Sequence, residues 1–275
     1  LTVPQSGQIG RAARAPSFGS TAFRTYVISM AGADVRWLFI TQQLERLGIA
    51  YERFEAVDGR KLAFPIPEFD ERLYRLLHGR TRYPPEIGCY LSHIGCYRAF
   101  LATDAAYALI LEDDGIIDED ITEVVDAAIG ASDNWDILRL ETVSHGRKYR
   151  FRELTPGRHL AVALTREKGS AAYVVNRRAA ETFIEKLLPM KLAFDIAYDL
   201  EFRFGLRSVF VDPQPVRQDL EGLGTQIQHH AFLHKLPRTR YFTVLPYRLQ
   251  VEVRRLVVRG ARYIRLRLRK PRAAG

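Results

Sequence analysis

Short apolar runs that end abruptly in polar residues set the pattern of this chain. The clearest is Tyr107-Ala108-Leu109-Ile110-Leu111, which passes without interruption into Glu112, Asp113, Asp114 and Gly115. A run this short, with no polar alternation, predicts a strand covered on both faces, as in a parallel sheet. A first strand is predicted around Tyr26-Val27-Ile28-Ser29, ahead of Met30-Ala31-Gly32. Val35, Leu38, Phe39, Leu44 and Leu47 then recur near the helical period, with Asp34 placed as N-cap and Gly48 as the stop. A second strand over 51–54 completes strand, helix and strand within about 35 residues, one βαβ unit.

Further on, 67–77 and 86–102 read as helices, the second opened by Pro85. Gly88, Ser92, Gly95 and Ala99 line one side of it, a narrow strip that lets a backbone or a flat ligand approach. Helices are predicted over 121–131 and 178–187, and strands over 135–140, 161–164, 171–175 and 209–211. The polar, basic stretch 143–157 reads as a mobile loop over a site. Asp195 and Asp199 fall four apart, on one side of a helix if that segment is helical.

The chemistry gathers where strands end. In open α/β sheets ligands bind at the carboxyl edge, and Glu112, Asp113 and Asp114 would stand there. Adjacent carboxylates repel unless a cation or hydrogen-bond donors offset them. Hard oxygen donors suit Mg²⁺ or Mn²⁺, ions that bridge protein carboxylates to phosphates. The triplet also reads as a solvated turn capping the helix near Ile121. By itself Asp58-Gly59 reads as a tight turn, and His93 as a structural histidine.

Composition changes this picture little. The chain has 275 residues, 47% hydrophobic and 27% charged, as expected of a globular protein. No apolar run approaches the roughly 20 residues of a membrane helix, and residues 1–21 read as a flexible lead-in without a secretory core. Cys89 and Cys96, seven apart on one helix, would lie roughly 10.5 Å apart, beyond disulfide reach. They read as reduced core residues of a cytoplasmic protein, without metal-ligand spacing.

Charge is distributed unevenly. The net +9 hides a 235–275 segment with thirteen Lys or Arg and one acid, while the other 234 residues carry 28 bases against 31 acids. Three parts follow: 1–21, a domain over 22–234, and a basic amphipathic tail over 235–275. Residues 246–270 mix Leu249, Val253, Leu256, Val257, Ile264 and Leu268 with arginines, a pattern predicting attachment to an anionic membrane surface. Gly260 and the alternation at Leu249, Val251 and Val253 argue against a perfect helix. Nucleic acid is disfavoured as a partner, since the tail has few aromatics and the body is acidic. A metal-dependent phosphohydrolase would want the clustered His and Asp ligands of a two-metal site, which are missing.

The order of motifs says more than any one of them. Ala56-Val57-Asp58-Gly59, Glu86-Ile87-Gly88-Cys89-Tyr90-Leu91-Ser92-His93 and Leu109-Ile110-Leu111-Glu112-Asp113-Asp114 come first. Gly169-Ser170-Ala171-Ala172-Tyr173-Val174-Val175, Phe194-Asp195, Pro213-Gln214-Pro215-Val216 and Gly224-Thr225-Gln226-Ile227 follow. Together, over roughly residues 25–227, they resemble glycosyltransferase family 25, the bacterial lipooligosaccharide galactosyltransferases and their collagen-modifying relatives. Phe194 departs from the Pro–x many members have before the aspartate, and Thr225 replaces a more usual serine.

The resemblance implies a GT-A type α/β fold, with a mostly parallel central sheet flanked by helices and a basic C-terminal helical tail. It also implies a UDP-sugar donor, most often UDP-galactose, held through Mn²⁺ or Mg²⁺, and inverting transfer. On this chain the metal falls to Asp114 with Glu112 or Asp113, and His229 or His230 would supply a third ligand. Ser29, Met30 and Asp58 are placed to meet the nucleoside, and Ser92 and His93 to approach the donor. Asp195 is the first candidate base, with Asp199 and Glu201 behind it; the alternative is that these acids only pair with Arg203 or Arg207. The acceptor expected is a lipid-linked glycan, extended by a cytoplasmic enzyme peripheral on the inner face of the membrane.

Overall fold

The apolar runs form strands and the periodic segments form helices, in this order. They are β1 (Phe23–Ser29), α1 (Asp34–Arg46), β2 (Glu52–Glu55), α2 (Glu71–Leu73), α3 (Pro84–Leu101), β3 (Tyr107–Glu112), β4 (Gly115–Ile117) and α4 (Ile121–Ile129). Then come β5 (Ile137–Arg139), β6 (Lys148–Thr155), β7 (Arg158–Ala163), β8 (Ala172–Asn176), α5 (Arg177–Leu187), α6 (Phe194–Ala197), β9 (Ser208–Asp212), β10 (Val216–Gln218) and α7 (Val244–Leu268). The computed structural model describes residues 23–218, 234–237, 239 and 241–268. The lead-in 1–21, His229, His230 and the Gly224–Ile227 motif lie outside the described residues.

Eight strands form one sheet in the order β2-β1-β3-β8-β5-β9-β7-β6. β1 runs parallel to β2 and β3, as the βαβ reading requires. Beyond β3 the expectation of a mostly parallel sheet is corrected. β8 is antiparallel to β3 and β5, and β7 is antiparallel to β9 and β6, so the sheet is mixed. The stretch 143–157 is not all loop: β6 and β7 make a hairpin turning at Gly157, whose φ of +83° suits glycine. Tyr149-Arg150-Phe151-Arg152 carries the period-two signal, with arginines on the solvent face and Phe151 packed on the core.

β3 is buried on both faces. Ile110 packs with Ile94, Tyr97 and Phe100 of α3, while Leu109 and Leu111 pack on the other side with Ile40, Leu44 and Val124. Burying such side chains contributes about 1.5–3 kcal/mol each, so the strand's exit is fixed by two cores at once. Asp34 proves to be the first residue of α1 rather than its cap, which is Ala33.

The small-residue strip of α3 receives the Val57 backbone and the Phe54 ring. A Cβ on Gly88 would lie 2.3 Å from the Val57 carbonyl oxygen, and one on Gly95 would lie 2.3 Å from the Phe54 ring. Ser92 Oγ accepts from the Val57 N–H at 2.9 Å, tying the β2 exit to the helix.

The basic tail is docked. α7 is one continuous helix through Gly260, and its inward side carries Val251, Arg255 and Arg259. Leu249, Val253, Leu256, Val257, Ile264 and Leu268 point to solvent instead. The usual arrangement is inverted, with cations in and aliphatics out.

Candidate active site

Because β1, β2, β3 and β5 run the same way, their carboxyl ends share one edge of the sheet. Ser29, Ala56-Val57-Asp58, Glu112-Asp113-Asp114 and Glu141 follow those ends, and Gly169-Ser170 enters β8 from the same side. A cleft of about 700 Å³ opens there, lined by Met30, Arg36, Asp58, Cys89, His93 and the three carboxylates, among others. Its size falls in the range of a small-molecule site.

The three acids differ in surroundings. Glu112 accepts from Ser170 Oγ at 2.9 Å, and its Oε1 lies 3.4 Å from His93 Nε2. Burial works to raise its pKa, but His93, Ser170 and Arg36 outweigh that and hold the carboxyl below its usual range. Asp113 is bound by Arg36 at 3.0 Å and by the Ser29 hydroxyl, yet burial keeps its pKa raised. Asp114 is pushed up to about 7 by burial and by the charge of Glu112, against the pull of Arg36 at 3.5 Å. Its Oδ1 is buried without a hydrogen-bond partner among the described residues.

One guanidinium thus bridges two of three crowded carboxylates, and one carboxylate oxygen is unpaired. A divalent cation fits such a donor set, and Arg36 marks where positive charge is wanted.

The other expected residues sort into several roles. Met30 and Asp58 line the cleft. Asp58 also caps a short turn, accepting from the Arg60 N–H at 3.1 Å and pairing with its side chain at 2.8 Å, as the tight-turn reading requires. Ser29 is only 1% exposed and reaches Asp113, so it braces the acid rather than meeting a nucleoside. Ser92 is wholly buried and orders the loop carrying Asp58. His93 is wholly buried, stacked 3.9 Å from the Phe194 ring and hydrogen-bonded through Nδ1 to Tyr173 at 2.9 Å. It is packed into the core, and its Nε2 stands 3.4 Å from Glu112.

Asp195, at the start of α6, is partly exposed. Burial raises its pKa against Lys168, Arg139 and the N–H groups of Gly169 and Ile196. It does not line the cleft but lies within electrostatic reach of Cys89, which does. Asp199 and Glu201 are corrected: neither is available as a base. Asp199 pairs with Arg139 at 2.9 Å, Arg255 at 3.0 Å and Arg259 at 2.8 Å, and Glu201 pairs with Arg259 at 2.6 Å, all fully buried. Their partners are these arginines, not Arg203 or Arg207. Arg207 instead pairs with Asp136.

Several site residues went unnoticed in the sequence. Arg36 sits on the inward turn of α1. Glu141 follows Leu138-Arg139-Leu140 much as Glu112 follows its own apolar run, and that pattern is the signal for it. It is pushed up to about 8 by burial, against the Ala171 N–H and Arg139, and its Oε1 has no hydrogen-bond partner among the described residues. Cys89 is the third. Its thiol, His93 and Glu112 offer ligand atoms within 4.8 Å of one another, a set that zinc favours. The sequence spacing of the two cysteines gave no sign of this grouping, because His93 and Glu112 reach Cys89 through the fold. Burial and the surrounding carboxylates push that thiol's pKa far up, holding it protonated.

Comparison with known proteins now bears on the site. Over 180 residues, 64% of the chain, it is 27% identical to a putative glycosyltransferase of Haemophilus influenzae, spanning 62% of that protein's length. Over 252 residues, 79% of the chain, it is 23% identical to the lacto-N-neotetraose biosynthesis glycosyltransferase LgtB of Neisseria meningitidis serogroup B, 86% of which is covered. Among solved structures, a glycosyltransferase involved in glycosylation of the major capsid of PBCV-1 aligns over 70% of this chain and 83% of its own. The TM-score is 0.37 and the identity 12%, a distant likeness that carries no argument. Residues 23–198, which hold β1 to α6 and nearly every candidate residue above, match the pattern of one family throughout. The chain belongs to glycosyltransferase family 25, described as LPS biosynthesis proteins.

Proposed function

We propose that the chain transfers a hexose, with galactose from UDP-galactose the first choice, onto a lipid-linked lipopolysaccharide or lipooligosaccharide glycan. A GT-A style of donor binding is the corresponding reading of the cleft. The observation that carries it is the under-compensated Glu112-Asp113-Asp114 cluster opening into a cleft at the carboxyl edge. Asp114, with Glu112 or Asp113, would hold Mn²⁺ or Mg²⁺, which supplies charge neutralisation to a departing diphosphate. Met30 and Asp58 bound the cleft where the nucleoside would lie. Arg36, already among the acids, sets their spacing and adds positive potential.

Inversion asks for a base on the far side of the sugar. The acceptor oxygen bonds to the anomeric carbon as the bond to the phosphate oxygen breaks, and the hydroxyl proton passes to Asp195. Its raised pKa makes Asp195 a stronger base than a solvated aspartate. UDP departs with the bonding pair.

The reading places the enzyme on an anionic membrane surface, peripheral on the cytoplasmic face. Leu249, Val253, Leu256, Val257 and Ile264 are 55–67% exposed along one side of α7, flanked by Arg254, Arg265 and Arg267. An apolar stripe edged with cations suits the interface of an anionic bilayer. No helix among the described residues is long and apolar enough to cross a membrane.

A titration of UDP-galactose, UDP-glucose, UDP-N-acetylglucosamine and UDP-N-acetylgalactosamine, each with and without Mn²⁺, tests the donor. One should bind saturably and only with metal. If none binds or is slowly hydrolysed, the reading fails.

A further inference from the structure

Beside Asp195, on the side facing α7, four cations stand close together. Arg80, Arg166, Lys168 and Arg248 all act on the same buried His78, pushing its pKa well below the usual value after burial has done most of the work. Arg248 donates to the His78 carbonyl oxygen at 3.3 Å. His78, Arg166 and Arg248 also line a crevice of about 20 Å³, together with Ile196, the residue after Asp195. Such a space admits about one water, or a single oxygen of a larger group, and not a sugar ring.

Of this cluster the nearby acids among the described residues pair only with Arg80. Glu86 pairs with Arg80 at 2.9 Å, and Glu252, in the crevice wall, pairs with Arg255. Asp195 attracts Lys168, but its carboxyl also takes the N–H groups of Gly169 and Ile196. Among the described residues neither the Arg166 guanidinium nor the Lys168 ammonium has an ion-pair or hydrogen-bond partner. His78 is 3% exposed, and its Nε2 has no hydrogen-bond partner among the described residues. Like charges assembled around an unpartnered buried nitrogen make a site for an anion. Three guanidiniums stand in its wall; Arg255 is taken by Asp199 and Glu252, while Arg166 and Arg248 suit the bidentate geometry of phosphate.

We propose that Arg166, Lys168 and Arg248, with His78 at the crevice floor, bind a phosphoryl group carried by the acceptor glycan beside the hydroxyl that reacts. This rests on the transferase reading and sharpens it, because the crevice wall includes Ile196, next to Asp195, and shares no lining residue with the donor cleft. It also lies under the first half of α7, so a glycan rising from a membrane at the outer face of that helix would pass it.

The test is calorimetric titration of the full chain with a synthetic disaccharide bearing one phosphomonoester, and with the same disaccharide lacking it. We expect the phosphorylated form to bind at least about tenfold more tightly, by the strength of charge-assisted pairs. Arg166→Gln combined with Lys168→Gln should bring the two within about twofold. Lys168→Gln alone alters an exposed side chain, and should cut the preference by about threefold even if the double variant folds poorly. Equal affinities in the unaltered protein, or a preference intact in the variants, would overturn the proposal. So would phosphate dependence found only with phosphatidylglycerol vesicles, which would assign the cations to a lipid headgroup. No UDP-sugar enters this titration, so its failure is separate from failure of the donor screen.

Discussion

Two groups of carboxylates, both close to the sheet, look alike in the sequence and differ in their counter-charge. Asp199 and Glu201 are sealed in the interior and met by Arg139, Arg255 and Arg259. Glu112, Asp113 and Asp114 face a cleft, share one arginine, and leave one oxygen unpaired. The first group is saturated by the chain itself. The second is left short of positive charge, as expected of a site completed by a bound cation. Counting the cations around an acid separates a structural carboxylate from a candidate ligand here better than its place in a motif.

The largest effect should come from breaking the saturated group. Arg259→Ala strips buried Glu201 of its ion-pair partner and takes one of three arginines from Asp199, and such losses cost about 3–5 kcal/mol. Urea denaturation of the variant should show it; a loss below about 1 kcal/mol would mean that water or relaxation replaces the arginine. For the same reason, removing α7 should unfold the domain rather than merely free it from membranes. The membrane reading is better probed by outward changes. Leu249→Glu with Leu256→Glu should abolish sedimentation with phosphatidylglycerol vesicles and leave the melting temperature within about 2 °C.

On the catalytic side, Asp195→Asn should lower kcat by about 10²–10⁴-fold, the range for loss of a general base. The donor KM should change little. A variant with normal kcat would remove Asp195 from the chemistry.

A smaller effect tests burial at the sheet edge. The folded pKa of Glu141, about 8, lies above its unfolded value. Its contribution is therefore fully present below about pH 4.3 and lost as pH rises toward 8. Glu141→Gln should remove that loss, gaining stability over the unaltered protein between pH 5 and 8 by up to a few kcal/mol. Parallel stability curves across that range would show that Glu141 titrates normally.

Much of this was legible in the sequence where the signal was local. The run into Glu112-Asp113-Asp114 located β3 and its exit, and Gly88 and Gly95 announced a close approach by another chain segment. What approached was the Val57 backbone and the Phe54 ring, because β2 leaves the sheet directly over α3. The mixed half of the sheet was hidden, since an alternating or apolar strand does not record its direction. β6 was hidden because its arginines imitate a loop. The fate of Asp199 and Glu201 was hidden most deeply, for it depends on arginines 58 and 60 residues away along the chain. In α7 the composition shows cations mixed with aliphatics but not that Arg255 and Arg259 face the domain. Its arginines turn inward only because two buried acids await them.

The central claim is that the cleft acids lack a cation that a nucleotide-sugar complex supplies. Its most direct test is titration of UDP-galactose into the unaltered protein and into Asp114→Asn, each with and without Mn²⁺. Metal-dependent binding by the unaltered protein, weakened at least about 100-fold in the variant, is the predicted result. Binding of equal strength with and without Mn²⁺, or unchanged in Asp114→Asn, would contradict it.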